Sequence, residues 1–221
     1  MNSLEFLTQT ELSIIFCSAI MGYFLGSINS SLIVGRLIGK IDIRYHGSGN
    51  AGLTNTLRVL GKKAAILVLA GDILKGVLAI GITQLIYGFF AMSADITLQN
   101  LNEVASIAAG TACIFGHSWP IYFGFKGGKG VLTSAAVIFM LDWKYGLILL
   151  AIFAIVVSIS KFVSLSSILC AIAAPFIALY LEKSIYFVCF VIVIAILVAI
   201  RHRTNIVRLL KGTESKLSFK K

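Results

Sequence analysis

The chain has 221 residues, 58% hydrophobic and 13% charged, and 19 Lys and Arg outnumber 9 Asp and Glu to give a formal net charge of +10. Soluble domains carry about 25% charged residues, so the composition excludes a water-soluble globule and points to an all-α, polytopic integral membrane protein, one domain over residues 1–221. The three histidines fall in separate segments with no carboxylate cluster beside them, which leaves no metal site to expect.

The opening "MNSLEFLTQTEL" has no basic n-region and no small-residue cleavage site, so the first apolar run, 12–38, is expected to stay as a span. Gly22 and Gly26 within it have the small-xxx-small spacing of close helix contacts. Cys17, Cys113, Cys170 and Cys189 each stand alone in apolar runs and read as small hydrophobes.

Next comes "RYHGSGNAGLTNTLRVLGKK", 44–63. Gly47, Gly49 and Gly52 permit positive φ and close backbone approach, while Ser48, Asn50, Thr54 and Asn55 supply short polar side chains. Successive N–H groups in such a turn can cup an anion. A helix starting near Thr54 adds its positive end, and Arg58, a turn further on, can fork onto a phosphate. The same residues also read as a tight turn capped by Thr54 or Asn55.

The second span, 64–90, contains Asp72 and Lys75. Charges inside a span are costly and so are functional candidates, and at i,i+3 they can equally pair on one helix face. The third span, 104–122, ends with His117 and Pro120, which shape entry to "FGFKGGKGVLT". There Gly124, Gly127, Gly128 and Gly130 bracket Lys126 and Lys129 ahead of a helix from about Val131. It is not a nucleotide-binding P-loop, since Phe123 and Gly130 stand where glycine and Ser/Thr are required. What remains is a glycine–lysine nest suited to a phosphate-type oxyanion.

The segment 131–141 is too short to cross unaided, and spans at 145–160, 165–181 and 185–200 follow. Ser164, Ser166 and Ser167 open the sixth, as caps or as site residues. After the last span, "IRHRTNIVRLLKGTESK" puts His202 and Asn205 three apart, on one helical face at the membrane surface.

Seven spans, one of them short, place 16 of the 19 basic residues on one side. Positive-inside bias then puts the N-terminus outside and the C-terminus in the cytoplasm; six crossings plus a half-span is the rival. The net charge is accounted for by that face and anionic lipid headgroups, with no call for nucleic acid. All the polar segments then share the cytoplasmic face, so the ligand has two phosphates, or two ligands have one each, and reaches into lipid. A transporter for a phosphorylated solute is the other class, but such proteins commonly show paired inverted repeats and broken helices at the midplane, whereas this sequence has no internal repeat and its polar residues cluster at one surface.

"GSGNAGLTNTLR", "GHSWPIYFGFKGGKGV" and "RHRTNIVRLLKGTE", in this order and separated by apolar spans, resemble the three motifs of the bacterial acyl-phosphate glycerol-3-phosphate acyltransferases, over about 26–214. Leu53 and Trp119 stand where alanine and phenylalanine are more usual. The resemblance implies transfer of a fatty acyl group from acyl phosphate to the 1-hydroxyl of sn-glycerol 3-phosphate, giving lysophosphatidic acid and phosphate, the first step of phospholipid biosynthesis, at the bacterial inner membrane. It implies no cofactor and an active site facing the cytoplasm; a monomer is expected, although the sequence does not itself set the oligomeric state. Carried onto this sequence, it makes Ser48, Arg58, Lys129, Ser167, His202 and Asn205 catalytic, with Ser164 the alternative to Ser167. Gly47, Gly49, Asn50, Gly52, Thr54, Asn55, Lys126, Gly127, Gly128 and Gly130 become substrate-binding, and Glu214 structural. A His-x4-Asp general base is absent, because Ala51, Tyr122 and Val207 lie five residues after the histidines. Either His202 or the donor's own phosphate takes the proton.

Overall fold

The computed structural model describes residues 8–91 and 100–217, all helix and loop; Lys220 and Lys221, counted above with the cytoplasmic bases, lie outside them. Helix α1, Gln9–Ser27, opens on a capping box in which Thr8 and Glu11 exchange side-chain and backbone hydrogen bonds. The expected span 12–38 is built from two helices. The Asn29 side chain accepts from Leu32 N at 3.1 Å and starts a new helix, α2, Ser30–Leu37, because an Asx side chain competes with the helical ladder. The carbonyls freed at the break, Gly26 O and Ile28 O, each accept from Lys75 Nζ at 3.2 Å.

Helix α3 runs Leu53–Ala91, well beyond the expected 64–90, with a break at Gly61, where φ is 82°. There follow α4, Leu101–Ser118; α5, Val131–Leu141; α6, Trp143–Ser160; α7, Val163–Tyr180; α8, Ile185–Arg201; and α9, Arg203–Leu210. Among the described residues four stretches are long and apolar enough to cross a membrane, 9–37, 53–91, 143–160 and 163–180, and a fifth if α8 and α9, bent by 59°, count as one. Helix α4 is not among them: Asn102, Glu103, Ser106, Thr111 and His117 dilute its hydropathy. It is instead a central helix of small residues, with Ala105, Ala109 and Cys113 fully buried. Helix α1 packs against it so closely that a Cβ on Gly26 would run into Cys113 O, as the small-residue spacing foretold.

Large apolar side chains face outward, Phe16 66%, Ile66 62% and Phe176 68% exposed, while Asp72, Lys75, His117 and Asn55 are buried. This inversion suits lipid as solvent. The apolar core joins α3, α4, α5, α6, α7 and α8. In it Tyr145 meets Phe187 edge-on at 5.0 Å and donates to Ala174 O at 2.6 Å, the partner a buried phenol requires.

Candidate active site

The first glycine loop is organised by Asn55, which is 1% exposed. Its Oδ1 accepts from Ser48 N at 2.8 Å, and its Nδ2 donates to His46 O at 2.9 Å and Ile43 O at 3.2 Å. Gly49 N donates to His46 O and Gly52 N to Asn50 O. The amides of Ser48, Gly49 and Gly52 are therefore spent inside the loop, and Gly49 lies outside the cavity wall. The donors left for an anion include the first-turn N–H groups of α3, on Leu53, Thr54 and Asn55, a position where a helix end attracts negative charge. The Ser48 hydroxyl, the Thr54 hydroxyl and the Arg58 guanidinium make no hydrogen bond among the described residues, and all three residues line the cavity.

The second loop departs further from expectation. Gly127 N donates to Ser118 O at 3.2 Å and Gly128 N to His117 O at 3.1 Å. Their carbonyls accept from Arg201, Gly127 O at 3.0 Å and Gly128 O at 2.7 and 3.1 Å, and that guanidinium lies 5.4 Å above the Trp119 ring. Neither glycine offers a free amide. A Cβ on Gly128 would collide with His117 Nε2 and Ala51 O, so glycine is there for close packing. Both, with the exposed Lys126, lie outside the cavity lining. Arg44, paired with Asp42 at 2.6 Å, donates to Phe123 O and Lys126 O and ties the two loops together. The anion-directed donors of this loop are the first-turn amides of α5, on Val131, Leu132 and Thr133, beside Lys129 and Gly130.

Lys129 Nζ donates to Asn205 Oδ1. Asn205 Nδ2 in turn donates to Glu214 Oε1 at 2.6 Å. The same oxygen takes Ser164 Oγ at 2.6 Å, and Glu214 Oε2 takes Arg208 Nε at 2.7 Å. Ser167 lines the cavity too, but its hydroxyl back-bonds to Val163 O at 2.9 Å. Burial lowers the Lys129 ammonium to about 8; Glu214 opposes the shift, and Arg208, Arg201 and Arg58 add to it. Burial alone would raise the Glu214 carboxyl, but the hydrogen bonds from Ser164, Arg208 and Asn205 hold it below the usual range. His202, at the bend between α8 and α9, places Nδ1 2.8 Å from Val198 O. A carbonyl only accepts, so Nδ1 bears the proton and Nε2 is left with a lone pair. Burial, then the Lys129 charge, pushes this imidazole down to about 4.

These segments, scattered through the sequence, meet on one cavity of about 690 Å³. Its polar end holds Ser48, Asn50, Thr54, Arg58, Lys129, His202 and Asn205; its other end, between α5, α6, α7 and α8, is walled by Ile138, Phe139, Leu149, Phe153, Ala174 and Val191. The polar end suits anions and the apolar end a hydrocarbon chain. Sequence reasoning missed Arg44 and Arg201, the clamps on the loops, although Arg201 stands beside His202.

The family model for glycerol-3-phosphate acyltransferase matches residues 16–212. The chain belongs to this family. Curated relatives bearing that name include one from Thermoanaerobacter pseudethanolicus, 41% identical over 92% of this chain and 96% of its own length, and one from Synechocystis sp., 42% identical over 96% of this chain and 94% of its own. Among solved structures, PlsY (YgiH), an integral membrane glycerol 3-phosphate acyltransferase, superposes in its glycerol 3-phosphate form with a TM-score of 0.80 at 34% identity, covering 92% of this chain and 96% of that one. Its lysophosphatidic acid form gives 0.77 at 33% identity, with 93% and 96% covered. The protein is thus a multi-pass membrane acyltransferase.

Proposed function

We propose that the enzyme transfers a fatty acyl group from acyl phosphate to the 1-hydroxyl of sn-glycerol 3-phosphate, releasing lysophosphatidic acid and inorganic phosphate at the start of phospholipid synthesis. The observation that carries this reading is the single cavity with two helix N-termini, Arg58 and Lys129 at one end and an apolar trough at the other. It has room for two phosphates side by side and for one acyl chain. Family membership and the two solved relatives, one holding glycerol 3-phosphate and one lysophosphatidic acid, supply the acceptor and the product.

The donor is a mixed anhydride whose leaving group needs no further activation. The acceptor oxygen bonds to the acyl carbon, the bond from that carbon to the phosphate oxygen breaks, and the hydroxyl proton ends on phosphate. The protein's work is to hold two mutually repelling anions in attack geometry, an effect of about 7–11 kcal/mol when orientation is complete. Aimed amides and cations then stabilise the oxyanion and the departing phosphate. A group already at about 4 is a weak proton acceptor at neutral pH, since a general base works best near the ambient pH. His202 Nε2 therefore accepts and orients the acceptor hydroxyl, and the donor's phosphate takes the proton.

The remainder of the proposal is a seven-span chain with α5 as the short span, its N-terminus outside and the active site facing the cytoplasm of the bacterial inner membrane, acting as a monomer. The bias of basic residues supports the orientation. The deciding experiment offers purified protein in detergent the same acyl chain as acyl phosphate, acyl-CoA and acyl carrier protein thioester. Lysophosphatidic acid is expected from acyl phosphate alone; equal rates from a thioester donor would overturn the donor assignment.

A further inference from the structure

One buried ionisable cluster has no part in this chemistry. Asp72 and Lys75 pair at 2.9 Å, 1% and 4% exposed, and Ser30 Oγ donates to Asp72 Oδ1 at 3.0 Å. Besides the two carbonyls at the α1–α2 break, Lys75 Nζ reaches His117 Nδ1 at 2.8 Å. An ammonium has protons and no lone pair, so it donates in each of these contacts. His117 Nδ1 must then be the acceptor, and the ring is neutral with its proton on Nε2. Asp72 Oδ1, 3.7 Å from Nδ1, is too distant to compete, and a protonated ring would set two cations against each other. Geometry alone fixes the tautomer.

The nitrogen that carries the proton makes no hydrogen bond among the described residues, and His117 lines the cavity. It also lies where the two glycine loops touch. His117 O accepts from Gly128 N, and the space beyond Gly128 Cα is bounded by His117 Nε2 from one side and Ala51 O from the other. Ala51 belongs to the first loop and Gly128 to the second. An unpartnered donor of fixed tautomer, held from behind by an ion pair, thus lines the same cavity as Arg58, Lys129 and the first turns of α3 and α5.

We infer that His117 is a substrate-binding residue: its Nε2–H donates to an oxygen of a phosphate held in this cavity, and the Asp72–Lys75 pair is the positioning device that sets its tautomer and aim. The inference rests on the phosphate-binding part of the proposed function. That phosphate belongs to glycerol 3-phosphate or to the acyl phosphate, and kinetics tells them apart.

The test compares His117→Gln, whose amide nitrogen can occupy the place of Nε2, with His117→Asn, which can still meet Lys75 but stops short of the cavity. A hydrogen bond to a charged group is worth about 10- to 100-fold in affinity. KM is expected to rise by that factor in the Asn variant and to stay within about threefold of wild type in the Gln variant, with kcat changing less. A rise for glycerol 3-phosphate alone assigns the acceptor's phosphate; a rise for acyl phosphate alone assigns the donor's. The reverse order, Asn better than Gln, is what a purely structural histidine gives and would overturn the inference, as would unchanged KM for both substrates in both variants. Should the Asn variant not accumulate in the membrane, wild-type protein labelled with 15N in its histidine rings decides. The resonance absent from His117→Gln must show a proton on Nε2 and move when glycerol 3-phosphate or an unreactive acyl phosphonate is added; no movement with either refutes the contact. If wild type makes no lysophosphatidic acid from acyl phosphate, the donor assignment fails, whereas the resonance with glycerol 3-phosphate still judges His117.

Discussion

Lys129 gives the most exposed prediction, because burial brings its ammonium to about 8, within the range of an ordinary assay. The group holds phosphate only as a cation, so it is competent below that pH and lost above it. With one essential proton, kcat/KM is flat on the acid side of 8 and falls about tenfold per unit beyond 9. A bound phosphate dianion favours the charged form, so the limb in kcat should appear at higher pH than the limb in kcat/KM. Lys129→Arg keeps a charge that does not titrate in this range. Its guanidinium cannot reproduce the single contact with Asn205, so activity should be several-fold lower yet without an alkaline limb up to about pH 10. The assay is initial-rate formation of lysophosphatidic acid, with spontaneous hydrolysis of the donor subtracted at each pH. A limb near 8 that survives in Lys129→Arg, or its absence from wild type, would refute the assignment.

Arg58→Ala should lower kcat/KM by at least about 10²-fold, the scale of losing one aimed donor in an active site, with unchanged protein in the membrane; a wild-type-like rate removes Arg58 from the site. His202→Ala should cost less than about tenfold in kcat if the donor's phosphate is the base, against the 10²- to 10⁴-fold expected of a protein base. Glu214→Ala withdraws the acceptor shared by Ser164, Asn205 and Arg208, and a loss of about 1–3 kcal/mol should appear as a lower Tm in detergent together with reduced turnover. Gly26→Val drives a side chain into Cys113 O, and overpacking of about 1–3 kcal/mol or more should lower Tm and yield; an unchanged Tm would mean the α1–α4 contact is looser than described.

Much of the fold is visible in local pattern. The seven apolar segments are helical, and α5 starts at Val131 where Gly130 and the polar loop end. The break at Asn29 is not visible, because one asparagine in an oily run is ordinary, and the Lys75 ammonium that takes up the carbonyls freed at the break, Gly26 O and Ile28 O, comes from another helix. The site divides in the same way. Ser48, Arg58, Lys129, His202 and Asn205 stand in polar segments inside an apolar chain, which singles those segments out, and all five line the cavity. What those segments do with their own hydrogen bonds is a tertiary fact. Gly127 and Gly128 look like a phosphate nest because glycine and lysine do make such nests, yet their amides face His117 and Ser118, contacts that only folding creates. Asn55 likewise reads as a ligand and proves to be the loop's internal brace.

Asn205 separates the Lys129 ammonium from the Glu214 carboxylate. A carboxylate touching the ammonium directly would cancel its charge, and every incoming anion would first have to compete with an internal counter-ion. Here a neutral amide stands between the two, giving the lysine direction from one end while its other end is gripped by the acid. Orientation is conveyed and neutralisation is not, so the cation stays electrostatically open toward the ligand even though a glutamate two links away holds it in place.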